Sequence, residues 1–224
     1  MNEDKKYDLG LVCGRFSHEH LGHVSLFKTS LELCKHTLIL VGSSQEYGTF
    51  RNPYRVETRI DVIKQTFPEV SDDVLTIRGL RDLTNELDLT YDWGKFVKSE
   101  VISHKNRFAD LMVSGDEDSR KKWFAPEDLD GVSEQIISRN IIPITSTHLR
   151  GMLVIDDKFA WEKVTDPLIH NIYSSLRSEL LEVPVYTEIY NKIHSVNMDL
   201  DNYLKVYKEF EELDRLNKLS DIKK

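Results

Sequence analysis

The stretch Tyr7–His23, YDLGLVCGRFSHEHLGH, decides how the rest of the chain is read. Its first part, Tyr7 to Cys13, is short and apolar and is closed by Gly14, the pattern of a buried strand. Helical spacing follows: Leu21, Val24, Phe27 and Leu31 fall on one face of a helix over Leu21 to Lys35. The first turn of such a helix presents bare N–H groups and the positive end of its dipole, a ready anion site. Gly14 allows a tight exit from the strand, and Gly22 lets a ligand approach the helix start. His20 and His23 project from the same face of that turn, and Arg15 adds a fixed cation on the approach. Two imidazoles, an arginine and bare amides together hold a polyphosphate and neutralise charge that builds on it.

Working outward, Thr37 to Val41 reads as a second buried strand, closed by Gly42-Ser43-Ser44. A polar loop to Pro53 leads into a helix over Val56 to Phe67, where Ile60, Ile63, Lys64 and Phe67 alternate between core and solvent. Val74 to Arg78 is a third strand, and Tyr91 to Ser103 a helix with Phe96, Val97 and Val101 inward. Ala109 to Val113 is a fourth strand, ending at Ser114-Gly115-Asp116, and Ile136 to Ile144 contains a fifth with Pro143 at its end. This alternation predicts an α/β fold, a Rossmann-like parallel sheet with helices on both faces. Ligands of such sheets sit beyond the carboxyl ends of the strands. From Val185 the character changes: Leu200, Tyr203, Leu204, Tyr207, Phe210 and Leu213 recur at helical intervals. The chain therefore divides into a domain over residues 1–185 and a helical C-terminal extension over 186–224. The apolar stripe of the extension docks on the main domain or on another subunit.

Composition removes several classes. The 224 residues carry 30 Lys+Arg against 38 Asp+Glu, a formal charge of -8, which argues against a general nucleic-acid binder. Hydrophobic residues at 40% and charged residues at 30% are those of a globular chain. Two cysteines, Cys13 and Cys34, make neither a disulfide framework nor a four-thiolate zinc site, and fit a reducing compartment. The N-terminal segment lacks a signal-peptide core and the aliphatic runs are too short for a bilayer, so the expectation is a cytoplasmic protein with no membrane partner. No H-E-x-x-H, no G-x-x-x-x-G-K-[ST] and no G-x-G-x-x-G after the first strand occurs. A zinc site from His18, His20 and His23 lacks the helical i, i+4 pairing.

His20-Leu21-Gly22-His23 resembles the H-x-G-H element of the nucleotidylyltransferase superfamily. Gly14-Arg15-Phe16 narrows the resemblance to the archaeal-type nicotinamide-nucleotide adenylyltransferases. That family joins ATP and nicotinamide mononucleotide to give NAD and pyrophosphate. Where its members have Gln-Pro-Phe before the first histidine, this chain has Ser17-His18-Glu19. Pro143 to Arg150, PITSTHLR, is similar to the family's I-S-x-T-x-x-R, with Thr145 in place of the serine. There Thr145 or Ser146 can cap a helix whose first turns carry Arg150. Asn52 to Arg59, NPYRVETR, resembles N-P-F-x-x-x-E-R, with Thr58 in place of the glutamate.

The resemblance spans about Tyr7 to Val183 and implies roles residue by residue. His20 and His23 steady the α-phosphate and the bridging oxygen, while Arg15 and Arg150 take the β- and γ-phosphates. Gly14, Phe16, Gly22, Ser114, Gly115, Asp116, Thr145, Ser146 and Thr147 line the ATP site. Arg59 grips the acceptor phosphate, with Asn52, Ser43 and Trp93 beside it; Trp93 either stacks on the nicotinamide ring or is a core tryptophan. Trp123-Phe124 reads equally as lid or core, and Cys13 as packing. ATP and a mononucleotide are the partners implied, with Mg²⁺ arriving on the ATP rather than in a protein cage. Closed homo-oligomers are common in the family and compatible with the amphipathic tail. Two other functions stay open: adenylyl transfer to another phosphorylated acceptor, such as nicotinate mononucleotide or phosphopantetheine, and a non-catalytic nucleotide sensor.

Overall fold

A computed structural model describes residues 4–83, 90–115, 120–138 and 143–222. Five strands, β1 (Tyr7–Gly14), β2 (Cys34–Val41), β3 (Leu75–Gly79), β4 (Leu111–Gly115) and β5 (Ser133–Ile137), form one sheet in the order β3-β2-β1-β4-β5. Every pairing is parallel. Successive crossovers run outward from β1 in one direction and then reverse to β4, so the switch point lies at the carboxyl end of β1. The two faces follow from the period of two along each strand. Leu9, Leu11, Cys13, Leu38 and Leu40 pack with Val97 and Val101 of α3 (Asp92–Lys105). Val12, Ile39 and Val41 pack on the other face with Val24 and Phe27 of α1 (Leu21–Leu33) and Ile63 of α2 (Val56–Thr66). The sheet is covered on both sides, as the alternation predicts.

Three boundaries differ from the sequence reading. α1 stops at Leu33 and β2 begins at Cys34 without a loop: the Cys34 N–H closes the helix on Ser30 O while the residue already pairs with Tyr7. β4 lies two residues later than read, so Ser114 and Gly115 are its last two strand residues, paired with Ile136 and Ile137, rather than residues beyond it. β5 begins at Ser133 and not Ile136. It is a half-buried edge strand, and the polar Ser133, Glu134 and Gln135 that pair there escape a search for apolar runs. The expected continuation through Ile141 and Ile142 lies outside the described residues.

Beyond the sheet come α4 (Ser146–Val154), α5 (Lys158–Glu162), α6 (Tyr173–Glu182), α7 (Pro184–His194) and α8 (Leu200–Ile222). Pro184 occupies the first turn of α7, where its missing N–H costs nothing. The change of character read at Val185 is thus a helix start. Tyr186, Ile189, Tyr203 and Tyr207 from the tail share one buried cluster with Leu149 and Leu153 of α4 and Trp161 of α5. The tail stripe lies against this chain's own helices. Among the described residues, no helix is long and apolar enough to cross a membrane.

Candidate functional site

The loop from β1 to α1 is held by its own side chains. Phe16 adopts a left-handed φ of 44° and folds its ring over Gly14, where a Cβ would lie 2.7 Å from that ring. The ring then meets His23 edge-on at 5.1 Å and Phe27 at 5.0 Å. Phe16, expected to line the nucleotide, is therefore a core wedge that sets the His23 ring. His20 is the N-cap of α1, and its Nδ1 accepts from the Gly22 N–H at 3.1 Å. With Nδ1 accepting, the neutral ring carries its proton on Nε2. A Cβ on Gly22 would lie 2.9 Å from the His20 ring, so glycine is what lets that ring cross the helix start. The His20 and His23 rings stack at 3.8 Å and 25°.

The amides of this turn are not bare. Leu21 N–H donates to Val164 O at 2.9 Å, Gly22 N–H to His20, and His23 N–H to His20 O at 2.8 Å. The anion site read from open amides is corrected accordingly: the amides of residues 21–23 are already paired within the fold.

The second stretch reaches the same loop. Thr145 caps α4, accepting from His148 N–H at 3.4 Å, and Ser146 Oγ donates to His18 O at 3.0 Å. Arg150, only 4% exposed, donates from Nη1 to Ser17 Oγ at 3.0 Å and from Nη2 to Thr147 Oγ1 at 3.2 Å and Tyr207 Oη at 3.0 Å. Residues 133 apart in sequence are thus joined by one hydrogen bond. All of these partners are hydroxyls, and among the described residues no carboxylate pairs with Arg150. Arg15 is exposed at the mouth of the loop.

His18 and Glu19, which depart from the family pattern, point into the protein core. Trp161 Nε1–H donates to His18 Nε2 at 2.8 Å, and burial holds the His18 pKa down at about 3. That nitrogen is occupied, so the three-histidine zinc reading does not assemble. Among the described residues no group of three His, Cys, Asp or Glu side chains is placed to hold an ion. Thr66 Oγ1 donates to Glu19 Oε1, yet burial pushes the Glu19 carboxyl up to about 8. The two groups act oppositely on stability. Between pH 4.5 and 8 folded Glu19 keeps a proton that the unfolded chain has released, so its contribution is lost as pH rises towards 8. Folded His18 stays neutral where the unfolded chain protonates, so its contribution is lost as pH falls from 6.5 towards 3. Between pH 6.5 and 8 only Glu19 of the pair changes. Glu19→Gln should flatten the decline in stability over that window, measured by urea unfolding at its two ends; an undiminished decline would contradict it.

On the acceptor side the expectation for Arg59 is corrected. The residue is 2% exposed, with Nη1 donating to Arg15 O at 2.8 Å and Gly42 O at 2.7 Å, and Nη2 to Ser43 O at 3.1 Å. Burial lowers its pKa to about 10. Those hydrogen bonds clamp the loops after β1 and β2 together, a use that the motif does not disclose. Arg59→Lys keeps the charge but loses the fork, and should lower stability by about 1–3 kcal/mol in denaturant titration; an unchanged midpoint would refute the clamp. Ser43, at a left-handed φ of 51°, offers its carbonyl to that clamp. Asn52 is buried with Nδ2 donating to Glu46 at 2.8 Å. Trp93 packs with Phe96 and Trp123 at 5.8 and 6.0 Å, and Phe124 is buried in the same cluster, so that pair reads as core. Ser114 is 3% exposed at the end of β4, with Gly115 beside it; Asp116 lies outside the described residues. Tyr207 reads in the sequence only as an apolar member of the tail stripe, and Trp161 belongs to no motif, so neither is found as a site residue.

A family model described as cytidylyltransferase-like matches residues 11–150. Over 68 residues the chain is 43% identical to a Saccharolobus solfataricus protein named nicotinamide-nucleotide adenylyltransferase, covering 30% of this chain and 40% of that one. An Aeropyrum pernix protein of the same name is 36% identical over 62 residues, 28% of this chain and 36% of the relative. The match thus spans about two fifths of the length of these curated relatives. Among solved structures, a bifunctional NMN adenylyltransferase/ADP ribose pyrophosphatase from Francisella tularensis has a TM-score of 0.61 at 18% identity, covering 91% of this chain and 55% of that one. A Plasmodium falciparum nicotinic acid mononucleotide adenylyltransferase has a TM-score of 0.50 at 14% identity, covering 80% and 99%. At these identities the two structures establish the shared fold.

Proposed function

The chain belongs to the cytidylyltransferase-like family, and we propose on that footing that it is a nicotinamide-nucleotide adenylyltransferase, joining nicotinamide mononucleotide to the AMP part of ATP with release of pyrophosphate. A phosphate oxygen of the mononucleotide forms the new bond to the α-phosphorus as the bond to the bridging oxygen breaks, and pyrophosphate carries away the electron pair. The attacking phosphate is already anionic near pH 7, so no residue acts as a base. What the chain supplies is positioning and charge. His20 offers its Nε2–H to an α-phosphate oxygen, because its Nδ1 is occupied by the Gly22 N–H. His23, stacked on it, steadies the bridging oxygen. Arg150 and Arg15 hold the terminal phosphates, with Thr145, Ser146 and Thr147 at the head of α4 beside them. Gly14 and Gly22 keep the loop close to the nucleotide, and the adenosine takes the end of β4 at Ser114 and Gly115. Magnesium enters as part of the substrate, MgATP.

The single observation that carries this reading is Arg150. Arg150 is 4% exposed and, among the described residues, is hydrogen-bonded to hydroxyls and to no carboxylate, a buried charge short of an anion. It stands one hydrogen bond away from the loop that carries the stacked histidines. A triphosphate laid along that loop meets both. The names of the archaeal relatives support the choice of acceptor. The test is incubation with MgATP and a panel of nicotinamide mononucleotide, nicotinate mononucleotide and phosphopantetheine, with products identified by mass spectrometry. NAD and pyrophosphate are expected. A product from another acceptor alone would reassign the substrate, and ATP binding with no product from any would leave the sensor reading in its place.

A further inference from the structure

The fork of Arg150 is fixed by hydroxyls from three separate parts of the chain: Ser17 in the β1–α1 loop, Thr147 in α4 and Tyr207 in α8. Tyr207 comes from the tail, where the family resemblance ends. Its ring is 7% exposed and stacks on Phe50 at 4.5 Å and 30°, which sets the direction of its Oη. The seat of α8 is built into α4 next to the arginine. A Cβ on Gly151 would lie 2.5 Å from the Tyr203 ring and 2.6 Å from Leu200, so only glycine lets α8 close over that turn. An arginine side chain has several rotatable bonds, and ordering them before a ligand arrives removes that cost from binding. Because Nη2 donates to Tyr207, the tyrosine's own proton stays available and the arginine gains no negative neighbour. The tail thus orients the cation without neutralising it.

We propose that Tyr207 is a positioning residue of the nucleotide site, holding Arg150 in the pose that receives the terminal phosphates of ATP, so that the helical tail is part of that site. This rests on the adenylyltransferase reading above. The test compares the full-length wild type, Tyr207→Phe and Tyr190→Phe in steady-state assays with MgATP and nicotinamide mononucleotide. Tyr190 is a tail tyrosine that stacks on His194 instead. Tyr207→Phe should raise KM for ATP about tenfold. Its kcat should stay within a factor of about three and its KM for the mononucleotide should not change; Tyr190→Phe should behave as wild type. Calorimetry with MgATP alone should show the same weakening for Tyr207→Phe. An active wild type alongside a Tyr207→Phe variant with unchanged KM and Kd for ATP would overturn the inference and leave the enzyme reading standing. So would a variant that loses only thermal stability. A wild type that makes no dinucleotide would sink the enzyme reading itself, and the inference with it.

Discussion

His23→Ala is expected to lower turnover by about 10²–10³-fold, roughly 3–4 kcal/mol of transition-state stabilisation, as the loss of one preorganised donor does. The reason lies in how that ring is held. Phe16 meets it edge-on and His20 stacks on it, so its position is set before substrate arrives and little reorganisation is needed when charge builds on the bridging oxygen. The substitution removes a half-buried ring at the start of α1, while the packing of Val24 and Phe27 beneath is left in place. Circular dichroism should therefore report an intact fold while single-turnover kinetics report the loss. A variant that turns over within threefold of wild type would remove His23 from the chemistry.

The second large effect belongs to Arg150→Ala, which should reduce kcat/KM for ATP by about 10²–10³-fold, in the range found when one partner of a buried charge pair is truncated. KM for the mononucleotide should stay close to wild type, because the loss falls at the pyrophosphate end of the nucleotide. Stability should change little, because the hydroxyls of Ser17, Thr147 and Tyr207 lose their shared donor while the cost of burying a charge without a counter-charge is removed. Arg150→Lys separates these contributions. It restores the charge but not the planar fork, and should recover only part of the ATP affinity. Equal ATP kinetics in Arg150→Ala and wild type would end the assignment.

The alternation of short apolar runs with helical spacing was enough to read the parallel sheet, because a strand buried on both faces has few other ways to look. The errors sit where polar residues do structural work. β5 is an edge strand built partly from Ser133, Glu134 and Gln135, and the Cys34 junction has no loop residue to announce it. The glycines and histidines of the turn after β1 are plain in the sequence, yet the partners of its amides are not. Val164 O comes from far along the chain, and His20 turns back on its own helix. Arg59 shows the same limit from another side. A motif places an arginine near a site, but whether it meets a substrate or backbone carbonyls is decided by loops that only the fold brings together. Tyr207 was visible as one apolar step of a stripe; its hydroxyl finds Arg150 only once α8 is seated on Gly151.

The most direct measurement is a crystal structure of the protein with a non-hydrolysable ATP analogue. The α-phosphate should lie within hydrogen-bond distance of the His20 and His23 rings, and the terminal phosphates should meet the guanidinium of Arg150, with Ser17 between the two groups. A triphosphate bound elsewhere, with Arg150 still enclosed by Ser17, Thr147 and Tyr207 alone, would contradict the account.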